Sequence, residues 1–276
     1  MAVGLLPITT GLAMVTGKNI SAKKSLGQHW LTDETTLRAI RDSADLNSED
    51  IVLEIGPGLG NLTSHLVKRV KQVVAVELDK SLATELPKSL KAPNLEVLQA
   101  DILKFDLTKL PRDYKVVANI PYYLTSNLLR NLSESSNPPA AMTLLVQREV
   151  AERICAKPGQ MNILAVSAQL FYECRLGLKV LSHLFTPPPK VDSQLVLLKR
   201  RPTPLFPNLD TAKFFRIARA GFSEKRKKLR SSLAGGLHIT KQESDNLLKG
   251  AGLDGNRRAQ ELSLEDWHKL SETIKI

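Results

Sequence analysis

The stretch VLEIGPGLGNLTSHL (52–66) predicts a buried strand, a glycine-rich turn and the start of a helix. Glycines at 56, 58 and 60 let the backbone approach a ligand closely at a helix N-terminus, where free N–H groups and the helix dipole favour polar ligand atoms. A dinucleotide fingerprint needs its third glycine at position 61, which is Asn. The turn is therefore not predicted to bind a pyrophosphate.

Short apolar runs follow one another along the first part of the chain. Their starts lie about 19 to 27 residues apart, and they are IVLEI (51–55), QVVAVEL (72–78), LEVLQA (95–100), YKVVAN (114–119) and AMTLLVQ (141–147). Amphipathic stretches between them predict strand, crossover helix and parallel strand. Two later runs, SAQLFYECRLGLKVL (167–181) and SQLVLLKR (193–200), are predicted strands near the end of the sheet. The predicted fold class is α/β, a doubly wound, mostly parallel, Rossmann-like sheet with helices on both faces.

The sequence composition changes after Arg201, which indicates a second, smaller domain. RPTPLFPNLD (201–210) holds three prolines and is predicted to be a linker. Short helix patterns separated by glycines follow at 211–222, 223–237, 240–253 and 263–274. We predict a sheet-containing domain at 21–204, a small all-helical domain at 205–276 and a disordered or loosely packed extension at 1–20.

The composition indicates a globular chain without a membrane segment. Its 276 residues are 42% hydrophobic, which is enough to fill a core. No apolar stretch approaches the ~20 residues that cross a bilayer, and no basic region precedes the apolar start of the chain, so neither an anchor nor a signal peptide is predicted. Cys155 and Cys174 form no disulfide framework and no metal-ligand pattern. We expect a cytoplasmic protein without a metal site.

Positive charge is concentrated in one segment. The net charge is +11, and the stretch 199–230 alone holds eleven basic and two acidic residues. Such a run is often only a solvated face, but this density favours nucleic acid, ahead of a membrane because no wide apolar face accompanies it. The residues expected to contact phosphates are Lys225, Arg226, Lys227, Lys228 and Arg230.

Two acidic residues follow successive strands of the predicted sheet. The spacing of the glycine turn resembles the first motif of S-adenosylmethionine-dependent methyltransferases, whose cofactor carries no phosphate. Glu77 ends the next strand, where a carboxylate can accept both ribose hydroxyls of an adenosine-containing cofactor. Asp101 follows the third strand and could accept the amine of the cofactor's adenine. Either acid alone is more simply a helix cap or loop residue, but the two in series favour a cofactor site.

The segment ANIPYYLTS (118–126) stands where a buried strand should end. Taken alone it predicts a turn, because Pro121 cannot donate to a sheet ladder and Asn119 is a common loop residue. From these residues alone, a simple turn and a functional site are about equally open.

Seven segments occur in one order along the chain: KKSLGQHWL (23–31), EIGPGLGNLT (54–63), VELD (76–79), AD (100–101), NIPYYLTS (119–126), FTPPPKVDS (185–193) and RAQELS (258–263). With these pieces the chain resembles the family of ribosomal RNA small-subunit adenine N6,N6-dimethyltransferases. The resemblance covers nearly all of residues 23–276. The glycine turn is weak evidence by itself, whereas NIPY together with FTPPPKVDS is specific.

The resemblance implies S-adenosylmethionine as cofactor and, as substrate, two adjacent adenosines near the 3′ end of small-subunit rRNA, each dimethylated within a partly assembled subunit. It implies small-subunit rRNA and the immature small ribosomal subunit as partners. Apart from the resemblance, we expect a monomer and no membrane partner. Carried over residue by residue, the cofactor contacts are His29, Leu31, Gly56, Gly58, Glu77, Asp101 and Asn119. The contacts to the target base are Asn119, Ile120, Pro121, Tyr122 and Phe185.

Two places depart from the family pattern. Relatives often have Asn-Phe where this chain has His29 and Trp30, so the resemblance supports a backbone contact at position 29 rather than a side-chain contact. Tyr123 stands where many relatives have Asn, and it receives no role. The other histidines singled out, His65 and His183, are interpreted as packing or surface residues.

The residue types suit methylation of an amine. An adenine amino nitrogen is a poor nucleophile, because its lone pair is delocalised into the ring. The side-chain oxygen of Asn119 and the carbonyl of Ile120 can bind the two amino hydrogens and favour a pyramidal nitrogen, while Pro121 fixes the direction of that carbonyl. Tyr122 and, from the opposite wall, Phe185 are expected to sandwich the base, with stacking worth ~1–3 kcal/mol.

Two other functions stay open from the sequence. A related large-subunit rRNA adenine methyltransferase shares the Asn-Ile-Pro-Tyr type of motif, although FTPPPKVDS and the basic helical tail favour the small-subunit enzyme. A non-catalytic RNA-binding assembly factor of the same fold is the second alternative. Binding alone would not require Gly56, Glu77, Asp101 and Asn119 to be intact.

Overall fold

The strands form one large sheet and one short ribbon. A computed structural model describes residues 22–23, 26–224 and 226–274, and the extension predicted at 1–20 lies outside these residues. In chain order the strands are β1 (Trp30–Leu31), β2 (Ile51–Ile55), β3 (Gln72–Glu77), β4 (Leu95–Gln99), β5 (Lys115–Asn119), β6 (Ala141–Gln147), β7 (Tyr172–Val180), β8 (Phe185–Thr186) and β9 (Ser193–Arg200).

The large sheet has the order β4-β3-β2-β5-β6-β9-β7. Its first five strands are parallel, and β9 runs antiparallel between β6 and β7. β1 and β8 pair antiparallel to form the separate ribbon. The predicted doubly wound, mostly parallel sheet is confirmed, and the order in which successive strands are added reverses between β2 and β5, where ligands usually bind in such sheets.

Helices cover both faces of the sheet. They are α1 (Glu34–Ser43), α2 (Thr63–Leu66), α3 (Lys80–Leu90), α4 (Thr125–Glu134), α5 (Arg148–Ile154) and α6 (Ile163–Gln169). Val116 of β5 belongs to the core beneath α4, whereas the next residue, Val117, belongs to the core beneath α1 and α2. This burial on both faces explains why the parallel strands are continuous apolar runs rather than alternating patterns.

A helical region completes the chain. Its helices are α7 (Thr211–Phe222), α8 (Leu229–Leu237), α9 (Lys241–Gly250) and α10 (Leu264–Thr273). They share a separate core in which Phe214, Leu233 and Trp267 are buried, and Ala165 and Val166 of α6 extend into it. Helices at the C-terminus are confirmed, while the domain boundary at 204/205 stays a prediction. Within the described ranges, no helix is long and apolar enough to cross a membrane.

Two predicted elements were wrong in part. The run that begins at Ser167 is helical as far as Gln169, because the side chain of Asn162 caps α6 by accepting from the backbone N–H groups of Leu164 and Ala165. The predicted helix at 223–237 begins only at Leu229. Lys228 is extended, and the N–H of Leu229 donates to the Arg257 carbonyl at 2.7 Å, so a tertiary contact determines where α8 starts.

A close crossing of α7 and α8 gives a matched test of this packing. A Cβ at Gly236 would lie 2.6 Å from Ala220 Cα, whereas a Cβ at Gly235 would meet only Glu224 Oε1 at 3.5 Å. Gly235→Ala should therefore raise the free energy of unfolding by about 0.5–1 kcal/mol through reduced chain entropy. Gly236→Ala should lower it by about 1–3 kcal/mol through overpacking. Urea denaturation measures both, and a shift of the same sign in the two variants would contradict the crossing.

Candidate active site

A cleft opens at the carboxyl ends of β2, β3, β4 and β5. Its volume is about 270 Å³. It is roofed by the segment that contains β1, and it brings together the predicted cofactor residues His29, Leu31, Gly56, Gly58, Glu77, Asp101 and Asn119. Residues from separate parts of the sequence thus meet at the position where doubly wound sheets bind ligands.

The glycines in the turn after β2 have two different structural roles. Gly56, Gly58 and Gly60 have φ of +64°, +57° and +83°, a backbone region that favours glycine. A Cβ at Gly60 would overlap the side chain of Leu86, so this glycine permits helix packing. A Cβ at Gly56 would meet only Pro121 Cδ at 3.9 Å, so this glycine leaves space within the cleft.

Glu77 is held in place by the turn that it faces. Its Oε2 accepts from Gly58 N at 3.1 Å, and its Oε1 accepts from Asp79 N at 2.9 Å. Burial raises the pKa of Glu77, while these two backbone donors act in the opposite direction. Each carboxylate oxygen keeps a further lone pair, so the side chain is positioned to accept two hydroxyl groups from a ligand.

Asp101 closes a turn and also lines the cleft. Its Oδ1 accepts from Leu103 N at 3.0 Å, which makes it the turn residue that the simpler interpretation predicts. The half-buried side chain also lines the cleft. One oxygen therefore remains for a ligand donor.

Asn119 has a fixed amide orientation. Its Nδ2 donates to the backbone carbonyl of His29 at 3.1 Å. A carbonyl can only accept, so the NH₂ group must face His29 and the side-chain oxygen Oδ1 is left as a free acceptor. No hydrogen bond to this oxygen is found among the described residues.

The next residues supply a second acceptor. The N–H of Ile120 donates to Leu145 O at 3.1 Å, and no donor within the described part of the chain reaches the Ile120 carbonyl. Pro121 has φ −54°, as its ring requires. Asn119 and Ile120 thus present two acceptors on adjacent residues at the cleft.

Tyr122 is anchored by the FTPPPKVDS segment. Its hydroxyl lies 2.8 Å from Ser193 Oγ, and burial raises its pKa, so the phenol is neutral. The His29 ring faces it at 5.9 Å between centroids and 24° between planes. His29 Nδ1 donates to the Pro187 carbonyl at 2.7 Å, which fixes this ring in turn.

The structure places Phe185 outside the lining of the cleft, and the base contact expected of this residue stays a prediction. Its ring is only 2% exposed, belongs to the core that contains Leu31 and Val180, and does not line the cleft. The reason is the ribbon: Phe185 pairs with Leu31 across β1 and β8, a contact between residues far apart in sequence. The ring that faces Tyr122 is His29, for which only a backbone contact was expected.

Tyr123 lies at the mouth of the same cleft. Its side chain is 57% exposed, and a Cβ at Gly27 would lie 3.4 Å from its ring. The ring therefore covers the turn at Gly27 rather than the base-facing acceptors, which agrees with the absence of an assigned role.

Comparison with known proteins gives the family. A family model described as "Ribosomal RNA adenine dimethylase" matches residues 19–275. The chain belongs to this family. It is therefore an enzyme that methylates adenine in rRNA, and the resemblance found in the sequence is confirmed.

Individual relatives agree with this assignment. A curated protein of Dehalococcoides mccartyi (strain CBDB1), named ribosomal RNA small subunit methyltransferase A, is 44% identical over 93% of this chain and 90% of its own. The protein of the same name in Bacillus cereus (strain B4264) is 38% identical over 93% of this chain and 92% of its own. A dimethyladenosine transferase from Plasmodium falciparum superposes with a TM-score of 0.76 at 28% identity, over 88% of this chain and 96% of its own. The 23S rRNA methyltransferase ErmE superposes with a TM-score of 0.70 at 31% identity, over 88% and 98%.

The basic loop of this rRNA adenine methyltransferase lies apart from the cleft. Arg226, Lys227 and Lys228 are exposed before α8, whereas Arg230 is half-buried 3.9 Å from Asp245. Lys228 Nζ donates to Asn256 Oδ1 at 2.8 Å. None of them lines the cleft, and Lys225 lies outside the described residues.

Sequence reasoning missed two side chains at the site. Asn61, considered only as the residue that breaks the dinucleotide fingerprint, donates from Nδ2 to the Leu31 carbonyl at 2.8 Å and ties the roof to the glycine turn. Glu54 is 1% exposed beside Glu77 and lines the cleft. The sequence offers one indication of this buried acid, because Glu54 is the charged residue inside the apolar run IVLEI (51–55).

Glu54 predicts a pH dependence of stability. Burial, with a smaller effect of the neighbouring Glu77 charge, raises its pKa from 4.5 to about 8. The folded state therefore keeps a proton that the unfolded state releases, so this group's stabilising effect is full below about pH 4.5 and is lost as the pH rises to about 8. Glu54→Gln should remove that fall.

Urea denaturation of the ligand-free enzyme between pH 5 and 8.5 measures this effect. The wild type should lose stability over the range more steeply than Glu54→Gln. Glu49→Gln, which changes an exposed acid, is the matched control and should behave as the wild type. Equal slopes for the wild type and Glu54→Gln would contradict a protonated Glu54.

Proposed function

We propose that the enzyme uses S-adenosylmethionine to dimethylate the N6 amines of two adjacent adenosines in a loop near the 3′ end of small-subunit rRNA. Its substrate is a partly assembled small subunit in the cytoplasm, and it acts as a monomer coupled to subunit assembly. The observation that carries the proposal is the pair of free acceptors, Asn119 Oδ1 and the Ile120 carbonyl, at the cleft that Glu77 and Asp101 line.

The donor groups of S-adenosylmethionine match the acceptors of the cleft. The two lone pairs left on Glu77 suit a ribose diol, and the free oxygen of Asp101 suits an adenine amine. The indole Nε1 of Trp30 is buried without a hydrogen-bond partner among the described residues, and this side chain also lines the cleft. A buried donor without a partner costs free energy, so a ligand acceptor there would be stabilising.

The two acceptors increase the nucleophilicity of the adenine amine, which is otherwise weak. Hydrogen bonds from its two N–H groups to Asn119 and Ile120 draw the hydrogens out of the ring plane and concentrate the lone pair on nitrogen. Tyr122, neutral and fixed by Ser193, offers a ring face against which the base stacks. When bound, S-adenosylmethionine supplies the methyl group, and its sulfonium leaves as a neutral thioether. Positioning by these residues accounts for much of the expected rate.

Entry of the base requires the His29 and Tyr122 rings to separate. Their centroids are 5.9 Å apart. A base stacked between the two rings needs a separation of roughly 7 Å, because each of its two faces lies about 3.5 Å from a ring. A target adenine must also leave its own stack, so the substrate is a loop or an extruded nucleotide. We propose that Lys225, Arg226, Lys227, Lys228 and Arg230 hold phosphates around it.

Small-subunit rRNA is favoured over large-subunit rRNA by the relatives. The proteins named ribosomal RNA small subunit methyltransferase A are 38–44% identical to this chain, compared with 31% for the 23S rRNA methyltransferase ErmE. A mass-spectrometric map of the methylated nucleotides in rRNA, made after incubation of the enzyme with immature subunits, shows which of the two rRNAs is the substrate. Methyl groups confined to large-subunit rRNA would contradict the proposal.

Loss of the Glu77 carboxylate should weaken cofactor binding. Glu77→Gln should lower the affinity for S-adenosylhomocysteine, measured by calorimetry, by about 10- to 100-fold, because charge-assisted hydrogen bonds are worth about 1.5–3 kcal/mol. Glu96→Gln, at an exposed residue of β4, is the control. If the wild type bound no cofactor at all, a non-catalytic assembly factor would be the better description.

Loss of the Asn119 acceptor should stop the reaction without releasing the RNA. Asn119→Ala should lower turnover on immature subunits by about 100-fold or more, the usual cost of a missing polar group at a reacting centre. Affinity for the RNA should persist, and Asn127→Ala, at an exposed residue of α4, should act as the wild type. Dimethyladenosine at two adjacent sites in the wild-type product, and its absence with Asn119→Ala, is the expected map. Unchanged turnover would contradict the role of Asn119.

A further inference from the structure

A second concave surface lies at the edge of the sheet opposite the cleft. This distal groove has a volume of about 1200 Å³, larger than the roughly 300–1,000 Å³ typical of small-molecule sites. It is bounded by the amino end of β7, the carboxyl end of β9, the end of α4, the linker 202–209 and α7. A groove of this size has room for a segment of a polymer.

Basic residues outnumber acidic residues in the lining of the distal groove. Arg130 pairs with Glu134 at 3.5 Å, and Arg201 pairs with Glu173 at 3.6 Å. Lys199, Arg200 and Arg219 also line it; all three are exposed, and none has an ion-pair partner in the described part of the chain. Asp113 is the other acidic residue of the lining. Three cations without an ion-pair partner among the described residues therefore belong to the lining of one concave surface.

The floor of the distal groove is apolar. Phe171, Leu205 and Leu209 are half-buried there, and the Arg219 guanidinium lies 5.8 Å from the centroid of the Phe215 ring. Cations along a rim with an aromatic and aliphatic floor are the arrangement that binds single-stranded nucleic acid, since phosphates meet the cations and bases cover the apolar surface.

The fold divides the basic run of the sequence between two locations. Lys199, Arg200, Arg201 and Arg219 line the distal groove, whereas the loop at 226–228 does not. The groove is separated from the acceptors at Asn119 by the length of β5 and β6, roughly 17–23 Å at about 3.3 Å per residue. An RNA that touches both places must extend well beyond the methylated loop.

We propose that the distal groove binds a single-stranded segment of the substrate RNA, remote from the methylated loop, with phosphates on Lys199, Arg200 and Arg219. The proposal rests on the proposed function for the nature of the substrate. It assigns to this surface the recognition of a large, structured RNA, because only such a substrate reaches the groove and the cleft together.

The test compares two triple variants with equal loss of charge. Lys199→Gln with Arg200→Gln and Arg219→Gln removes the three unpaired cations. Lys68→Gln with Arg69→Gln and Lys71→Gln removes three exposed cations beside β3 and is the control. Dissociation constants are measured by filter binding over a range of salt concentrations for immature small subunits, deproteinised small-subunit rRNA and a short hairpin carrying the target loop. Binding of S-adenosylhomocysteine verifies that each variant is folded.

The groove variant should bind the subunit and the rRNA about tenfold or more weakly than the control. Its log–log salt slope should fall by about 0.7 for each phosphate of a single strand that no longer meets a cation. Its affinity for the hairpin and for S-adenosylhomocysteine should match that of the control. Affinities and slopes equal to the control for the subunit and the rRNA would overturn the proposal.

Two further outcomes would also overturn it. Weaker binding of subunits with unchanged binding of deproteinised rRNA would mean that the groove holds a protein, and equally weakened binding of the hairpin would mean that it touches the target loop. Methylation of the same subunits by the wild type is measured separately. Its absence would contradict the proposed function and leave the binding result to decide on the groove.

Discussion

The hydrogen bond from Asn119 Nδ2 to the His29 carbonyl is the constraint on which the site depends. It determines which end of the amide faces the cleft, and therefore whether Asn119 offers an acceptor or a donor to an incoming amine. The bond joins the end of a central strand to a segment near the start of the chain. The orientation of Asn119 that we propose for catalysis therefore requires that segment to be folded over the sheet.

Several contacts hold that segment in place. Asn61 donates to the Leu31 carbonyl, β1 pairs with β8, and Lys23 Nζ lies 2.6 Å from Asp79 Oδ2. The same segment carries His29, whose ring faces Tyr122. One short stretch therefore orients the Asn119 acceptor and covers the cleft. In the proposed function, the same stretch also supplies a wall against the base, so cofactor binding and base binding share one structural element.

The sequence predicts the parts of this structure that depend on local pattern. Apolar runs of the correct length and spacing reveal β2 to β6, and acids at strand ends predict Glu77 and Asp101, because the carboxyl ends of parallel strands converge on one edge. Prediction from the sequence fails where contacts between residues far apart in the chain determine the structure. Phe185 is turned into the core by its pairing with Leu31, the start of α8 is set by the Arg257 carbonyl, and the distal groove collects cations that the sequence presents as one run.

In the proposed function, Asn119 and Ile120 accept the two hydrogens of the target amine. A crystal structure of the enzyme with S-adenosylhomocysteine and an RNA loop containing the target adenosine measures this directly. The adenine N6 atom should lie within about 3 Å of both Asn119 Oδ1 and the Ile120 carbonyl oxygen, with Nδ2 still hydrogen-bonded to the His29 carbonyl. An amide rotated so that Nδ2 faces the base, or an amine bound away from Ile120, would contradict it.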